Sequence, residues 1–191
     1  MIEQNISKML SNISLTLFRK NFFGIYHGAI SLKVGHESFI INKRNAIFDE
    51  IDEDSLCELT LGKPDYRWNI SSVDSHIHSS IYTHIHEAKY IAFGMPPYTS
   101  AYSLEHDHIE FEDYFGQTLL GNIAVYDPGD FTTWYDRNAI EIVKYFKQND
   151  TNIIIIKGVG VYIFERNINN LIKKAAVLEN SCRLLSIKSS F

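Results

Sequence analysis

Apolar residues recur at three- and four-residue spacing in several stretches of the chain, and this spacing predicts amphipathic helices. The predicted helices span residues 6–18, 72–86, 96–104, 139–146 and 168–185. On the second of these helices, the spacing places four residues on the buried face, namely Val73, Ile77, Ile81 and Ile85. Each of these helices has one apolar face, and we expect these faces to pack against a sheet.

Runs of β-branched and aromatic residues predict strands between the helices. The predicted strands span residues 29–34, 38–41, 56–61, 90–93, 123–126, 153–156 and 161–164. The four isoleucines at 153–156 are too continuous for a half-exposed strand, so this strand should be buried on both faces. Strands enclosed by helices predict an α/β protein with a three-layer α/β/α sandwich.

Composition favours a globular protein with one domain over residues 1–191. Hydrophobic residues make up 45% of the chain and charged residues 21%, which is too apolar for a disordered protein. The net charge is −5, and no run rich in Lys or Arg occurs. We therefore expect no nucleic-acid partner.

Cysteine usage and hydropathy favour a cytoplasmic location. Cys57 and Cys182 are isolated in the sequence, which is typical of a reducing compartment. The first five residues do not form a basic leader followed by an apolar run, and no uncharged apolar segment is long enough to cross a bilayer. We expect no membrane partner.

The most informative motif lies at residues 71–101, which read SSVDSHIHSSIYTHIHEAKYIAFGMPPYTSA. The helix signature His78-Ser-Ser-Ile81-Tyr82 and the closing Pro97-Tyr-Thr-Ser-Ala101 resemble the class II aldolase/adducin family, in particular its fuculose-phosphate-aldolase-like members. The resemblance covers roughly residues 6–188. It implies a central mixed, largely antiparallel sheet, and it implies a zinc-dependent aldolase in those members that keep the metal site.

The metal ligands of the family are three histidines, and this chain has other residues at all three positions. Phe93 and Met95 stand where the family has a His-x-His pair, and Val159 stands where a late Asn-His-Gly turn supplies the third ligand. A phenyl ring, a thioether and an isopropyl group do not replace imidazoles on Zn²⁺. We therefore expect no metal cofactor at this site.

The acid/base residues of the family map onto Asp74 and Tyr114. Asp74 stands where the family has a catalytic glutamate, and Tyr114 aligns with a tyrosine that donates a proton. Aspartate keeps the charge but shortens the reach by one methylene. The alternatives are that Asp74 is a first-turn helix acid and that Tyr114 is a packed aromatic.

The phosphate-binding segments of the family map onto five residues. Gly28 begins the first segment, Lys43 and Arg44 replace a loop of small residues, and Ser71 and Ser72 stand at the helix start. The resemblance implies that these residues bind a small anionic metabolite, for which the two cations would supply charge. The alternative is that Lys43 and Arg44 form a solvated hairpin end.

Other residues could supply replacement chemistry. His106 and His108, beside Glu105 and Glu110, are the candidates for a relocated metal site, because the i and i+2 histidines of a helix point apart. Lys89 and Lys157 are the candidates for a Schiff base.

Three functions remain open on this basis. The first is a non-catalytic or repurposed protein with a degenerate metal site, which binds a small anionic metabolite or serves in assembly. The second is a divergent aldolase, lyase or epimerase that acts on a phosphorylated sugar with Asp74 as acid/base. The third is a structural subunit that pairs with an active paralogue. The resemblance also implies a homo-oligomer, a ring of four subunits, to which Trp68, Tyr98, Tyr102 and Trp134 could contribute contacts or be core residues.

Overall fold

An eight-stranded mixed sheet carries the fold, with its strands in the order β3-β2-β1-β4-β8-β7-β6-β5. The computed structural model describes residues 2–25 and 27–189, so the predicted domain ends at Met1 and Phe191 lie outside the described residues. The strands are β1 (Ala29–Val34), β2 (Ser38–Asn42), β3 (Leu56–Thr60), β4 (Tyr90–Gly94), β5 (His108–Ile109), β6 (Ile123–Tyr126), β7 (Ile153–Ile156) and β8 (Gly160–Glu165).

Six α-helices flank this sheet in the described part of the chain. They are α1 (Gln4–Arg19), α2 (Ser75–His84), α3 (Pro97–Glu105), α4 (Tyr114–Leu119), α5 (Trp134–Asn149) and α6 (Ile168–Lys188). Of the paired neighbours, only β6 and β7 run parallel within the residues described. The predicted mixed, largely antiparallel sheet is therefore confirmed.

Two apolar clusters lie on the two faces of the sheet and make the predicted three layers. One face packs against α1 and α6 through residues such as Leu10 and Leu171, with α3 and α4 resting on α6. The other face packs against α2 and α5 through Ile81 and Ile142. All four isoleucines of β7 are buried, as the uninterrupted apolar run predicted.

The strand register brings several segments to one end of the sheet, which we call the site end. Ala29 at the start of β1 pairs with Phe93 at the end of β4, and Phe93 pairs with Tyr162 near the start of β8. The turn after β7 and the end of β2 lie at this end too. The other end, where β4 begins and β8 finishes, is called the opposite end.

The structure departs from the predicted elements at a few positions. Helix α2 begins at Ser75 rather than at residue 72, and Val73, predicted to be buried, is 54% exposed because it lies before the first helical turn. Helix α4 and the short strand β5 were not predicted, since both are too short for a periodic pattern. None of the helices traced in residues 2–25 and 27–189 has the length and apolar character needed to span a bilayer.

Candidate functional site

An aromatic stack lies at the site end, where the end of β4 pairs with the start of β8. Phe93 and Tyr162 are opposite each other on these strands, and their ring centroids are 4.4 Å apart at an interplanar angle of 25°. Gly160 makes room for this stack, because a Cβ atom there would lie 2.8 Å from the Phe93 ring and 2.5 Å from the carbonyl oxygen of Gly94. Phe93 thus fills space that a smaller or polar side chain would leave open.

The hydroxyl of the same tyrosine holds the carboxyl of Asp74. Tyr162 Oη donates a hydrogen bond of 2.6 Å to Oδ1 of Asp74, which immediately precedes the first residue of α2. Burial raises the pKa of Asp74 above its ordinary value, and the hydrogen bond from Tyr162 offsets part of that rise. Burial and the neighbouring carboxyl also raise the pKa of Tyr162, so this phenol stays protonated as the donor.

A second polar chain runs from α2 into the middle of the sheet. Nδ1 of His78 lies 2.7 Å from Oγ of Ser31, and that hydroxyl lies 2.7 Å from the hydroxyl of Tyr82. Tyr82 in turn donates to the carbonyl oxygen of Lys89 at 3.3 Å. The motif residues His78 and Tyr82 therefore act together in one buried network that Ser31 joins.

His78 is neutral in this network. Its side chain is fully buried, and burial lowers the pKa of His78 to about 3. Its Nε2 atom has no hydrogen-bond partner among the described residues. When Nδ1–H donates to Ser31, the hydrogen bonds run in one direction from His78 through Ser31 and Tyr82 to the carbonyl oxygen of Lys89. Nε2 is then an unprotonated acceptor, and burying an unpaired acceptor costs less than burying an unpaired N–H donor.

The residues at the expected metal positions do not fit a zinc ion. Phe93 and Val159 pack against the apolar cluster on the α2 and α5 face, and Met95 is 45% exposed. None of the three offers a nitrogen, thiolate or carboxylate donor. Within residues 2–25 and 27–189, no group of three or more His, Cys, Asp or Glu side chains is arranged to hold an ion.

The two histidines considered for a relocated metal site have separate surroundings. The His106 ring stacks on Tyr102 at 3.8 Å, and its Nδ1 lies 3.0 Å from the carbonyl oxygen of Tyr102. Nε2 of His108 lies 3.5 Å from a carboxylate oxygen of Glu110. Each imidazole is thus paired with its own neighbour rather than with the other.

The structure brings the five predicted anion-binding residues to the site end. Lys43 forms a β-bridge with Ser71, and the backbone N–H of Ser72 donates to the carbonyl oxygen of Asn42. Gly28 precedes β1 there, where a Cβ atom would lie 2.6 Å from the Phe23 ring. These residues therefore lie at one end of the sheet, and their role in binding an anion stays a prediction.

The two serine hydroxyls at this end are already engaged within the chain. Ser71 donates to the carbonyl oxygen of Trp68 at 3.0 Å and accepts from Ser75 at 2.8 Å. Oγ of Ser72 accepts from the backbone N–H of Asp74 at 3.3 Å. Lys43 is half-buried and Arg44 is exposed, and neither forms an ion pair with any residue that the structure describes.

Two predicted residues, Tyr114 and Lys89, lie apart from Asp74, and a third, Lys157, is paired with another carboxylate. Tyr114 is 74% exposed on α4, on the other face of the sheet, where its ring contacts Phe115. Nζ of Lys157 lies 3.4 Å from a carboxylate oxygen of Asp107. Lys89 is at the opposite end of the sheet. Within one subunit, the tyrosine that contacts Asp74 is therefore Tyr162 and not Tyr114.

Sequence reasoning missed Tyr162 as a member of the site, and it assigned Ser31 to the first phosphate-binding segment rather than to the network with His78 and Tyr82. A signal for Tyr162 was present, because a tyrosine inside the apolar run of residues 161–164 needs a hydrogen-bond partner for its hydroxyl. No local pattern identifies that partner, since Asp74 is 88 positions away. Of the aromatics considered for subunit contacts, Trp134 is only 9% exposed and belongs to the core.

Known proteins share both the sequence pattern and the geometry of this chain. The family model described as Class II Aldolase and Adducin N-terminal domain matches residues 8–186. No curated protein sequence matches the chain significantly.

Solved structures share the fold at low sequence identity. L-fuculose-1-phosphate aldolase from Thermus thermophilus superposes with a TM-score of 0.84 at 18% identity, covering 96% of this chain and 94% of that one. YgbL from Klebsiella pneumoniae, a putative aldolase/epimerase/decarboxylase, gives 0.78 at 20% identity, with coverages of 98% and 91%. A sugar-phosphate aldolase from Thermotoga maritima gives 0.68 at 14% identity, with coverages of 97% and 95%.

Proposed function

The chain belongs to the class II aldolase and adducin N-terminal domain family, and from this premise we propose that it is a non-catalytic member with a degenerate metal site. The observation that carries the proposal is the packing of Phe93 on Tyr162, whose hydroxyl holds Asp74. An aldol cleavage in this family needs an electron sink for the enediolate, which a divalent metal supplies. Phe93, Met95 and Val159 offer no ligands for that metal.

The binding part of the proposal concerns a small anionic metabolite at the site end. Four of the structural relatives carry names that refer to sugar phosphates, and a phosphorylated sugar is the natural ligand class to test here. Lys43 and Arg44 would supply the charge. The hydroxyls of Ser71 and Ser72 contribute less than in a working phosphate site, because both already make internal hydrogen bonds.

Two assays test this proposal together. The first measures cleavage of L-fuculose 1-phosphate with added Zn²⁺, using the Thermus thermophilus aldolase as the active control. We expect no turnover above background. The second measures binding of the same compound by calorimetry, where the double variant K43Q/R44Q should weaken binding about tenfold or more and the variant K63Q at an exposed lysine should not. Metal-dependent turnover by the wild-type chain would overturn the proposal.

One observation favours the alternative, a divergent lyase or epimerase. Asp74 is a carboxyl of raised pKa in the position of a family acid/base, and such groups are enriched at active sites. In that case Asp74 would act as the acid/base and Tyr162 would orient it. Screening phosphorylated sugars for epimerisation, with D74N as the inactive counterpart, separates this alternative from the non-catalytic one.

Assembly and location complete the proposal. Exposed apolar side chains surround the turn after β7, where Phe131 and Leu104 lie against Gly158 and are 59% and 57% exposed. Such a patch supports a homo-oligomer, which we propose to be a tetramer. Light scattering coupled to gel filtration tests the tetramer.

The same proposal includes a single domain over residues 1–191 and a cytoplasmic location. Cys57 and Cys182 are buried free thiols, which suits that location.

A further inference from the structure

Three cations stand side by side on neighbouring strands at the opposite end of the sheet. The register of β1 and β4 continues past Tyr90, so that Lys33 faces Lys89, and the backbone N–H of Lys33 donates to the carbonyl oxygen of Lys89 at 2.9 Å. The register of β4 and β8 likewise sets Lys89 opposite Arg166, with the backbone N–H of Lys89 donating to Glu165 at 3.1 Å. We call Lys33, Lys89 and Arg166 the basic row.

The basic row lines an open groove of about 490 Å³. Two histidines, His36 and His86, line the same groove, and Glu87 is the one acidic residue in its lining. The carboxylate of Glu87 lies 3.7 Å from the guanidinium of Arg166. In a chain of net charge −5, this groove concentrates positive charge.

Like charges at directly opposite positions of neighbouring strands destabilise a sheet. The outer members of the row have partial compensation, since Lys33 donates to the carbonyl oxygen of Tyr82 near the end of α2 and Arg166 faces Glu87. Lys89 lies between two cations. Its ammonium is 5.7 Å from the centre of the Tyr90 ring, and no carboxylate of the described residues forms an ion pair with it.

We propose that the basic row is a binding site for the phosphate group of a small phosphomonoester. A phosphate dianion between the three side chains would replace the repulsion along the row by charge-assisted hydrogen bonds. This site lies at the other end of the sheet from Asp74, Lys43 and Arg44, so it goes beyond the proposed function and stands or falls separately.

A neighbouring groove has room for the remainder of such a ligand. It has a volume of about 680 Å³ and shares His86, Glu87 and Arg166 with the first groove. Its lining includes the aromatic rings of Phe146 and Phe164, which pack edge to face at 5.0 Å. Both rings are largely buried, at 2% and 8% exposure, and the other lining residues are mostly polar. The ligand would thus place its phosphate on the basic row and extend the rest of the molecule into this polar groove.

The test uses the full chain with inorganic phosphate, glycerol 3-phosphate and glycerol as probes at constant ionic strength. Calorimetry should detect the two phosphates and not glycerol. The variants K89Q and R166Q should each raise the dissociation constant for phosphate about tenfold or more. The variant K89R keeps the positive charge and should bind phosphate as the wild type does. The matched control K63Q should bind as the wild type does, and K89Q should weaken phosphate binding to the same extent when it is introduced into the K43Q/R44Q background.

A second readout distinguishes a binding site from a structural role. Without phosphate, K89Q should melt about 1–3 °C higher than the wild type, because the repulsion along the row is relieved. With phosphate, the wild type should gain stability and K89Q should gain little. Stabilisation by phosphate no greater than that by sodium chloride at the same ionic strength would overturn the proposal. Binding that survives K89Q and R166Q but is lost in K43Q/R44Q would overturn it as well.

Discussion

The hydroxyl of Tyr162 donates a 2.6 Å hydrogen bond to the carboxyl of Asp74, so the residue that we propose as the counterpart of the family acid/base is held by a side chain from the sheet beneath it. The same tyrosine stacks on Phe93, which we propose to replace a metal ligand of the family. Tyr162 therefore contacts both Asp74 and Phe93, and the three side chains share a packed centre.

Replacing Tyr162 by phenylalanine should destabilise the protein by about 1–3 kcal/mol, because the buried carboxyl of Asp74 loses its donor. Burial raises the pKa of Asp74, so the fold loses stability as the pH rises through the interval between the ordinary and the raised value. The hydrogen bond limits that loss. The variant should therefore lose more stability at pH 7 than at pH 4, as measured by urea unfolding.

The matched control for this variant is Y145F. It removes the hydroxyl of Tyr145, which donates to the carbonyl oxygen of Ala124 at an exposed site. We expect its effect to be smaller and independent of pH. Equal losses for Y162F at the two pH values would show that the hydroxyl does not stabilise an ionised carboxylate.

The buried neutral His78 predicts a pH dependence of the opposite sign. Burial lowers the pKa of His78 to about 3 from 6.5, so its contribution to stability is present above pH 6.5 and is lost as the pH falls toward 3. The full effect is on the order of 5 kcal/mol. The variant H78Q should be less stable at pH 7, because the Ser31 contact is altered, yet it should lose less stability than the wild type between pH 6.5 and 4.

The variant H84Q serves as the control for that experiment, because His84 is exposed at the end of α2. Its unfolding free energy should follow the wild-type pH profile. If the unfolding free energy of H78Q fell with pH as steeply as that of the wild type, His78 would not be a neutral buried imidazole.

The packing around Phe93 predicts the effect of a single methyl group at Gly160. In G160A the new Cβ would meet the Phe93 ring and the carbonyl oxygen of Gly94, at a residue whose φ is +140°. We expect a loss of about 2 kcal/mol or more in unfolding free energy. Gly35 is the matched control, because it has a φ of +67° with no atom within 4 Å of an added Cβ. G35A should therefore cost only the backbone strain, about 1 kcal/mol.

The sequence predicted the layers better than the site, for a physical reason. The isoleucines of β7 and the three- and four-residue spacing of α6 report burial directly, and both elements appeared where expected. Periodicity does not fix where a helix starts: the backbone N–H of Asp74 donates to Oγ of Ser72, and Val73 lies in this turn before α2. Hydrogen bonds such as that between Tyr162 and Asp74 depend on strand order, which local patterns do not encode.

The resemblance supplied what local patterns could not. It placed Gly28, Lys43 and Ser71 at a common site, and the structure gathers them at one end of the sheet. It did not foresee the basic row, because the pairing of Lys33 with Lys89 and of Lys89 with Arg166 follows only from the observed register.

A calorimetric titration of the metal-free wild-type chain with Zn²⁺ decides whether the chain binds a metal at the site end. We predict no stoichiometric, tight uptake of the ion, and the same result for F93A. A stoichiometric, tight zinc ion in the wild-type chain, lost on substitution of residues at the site end, would refute this prediction.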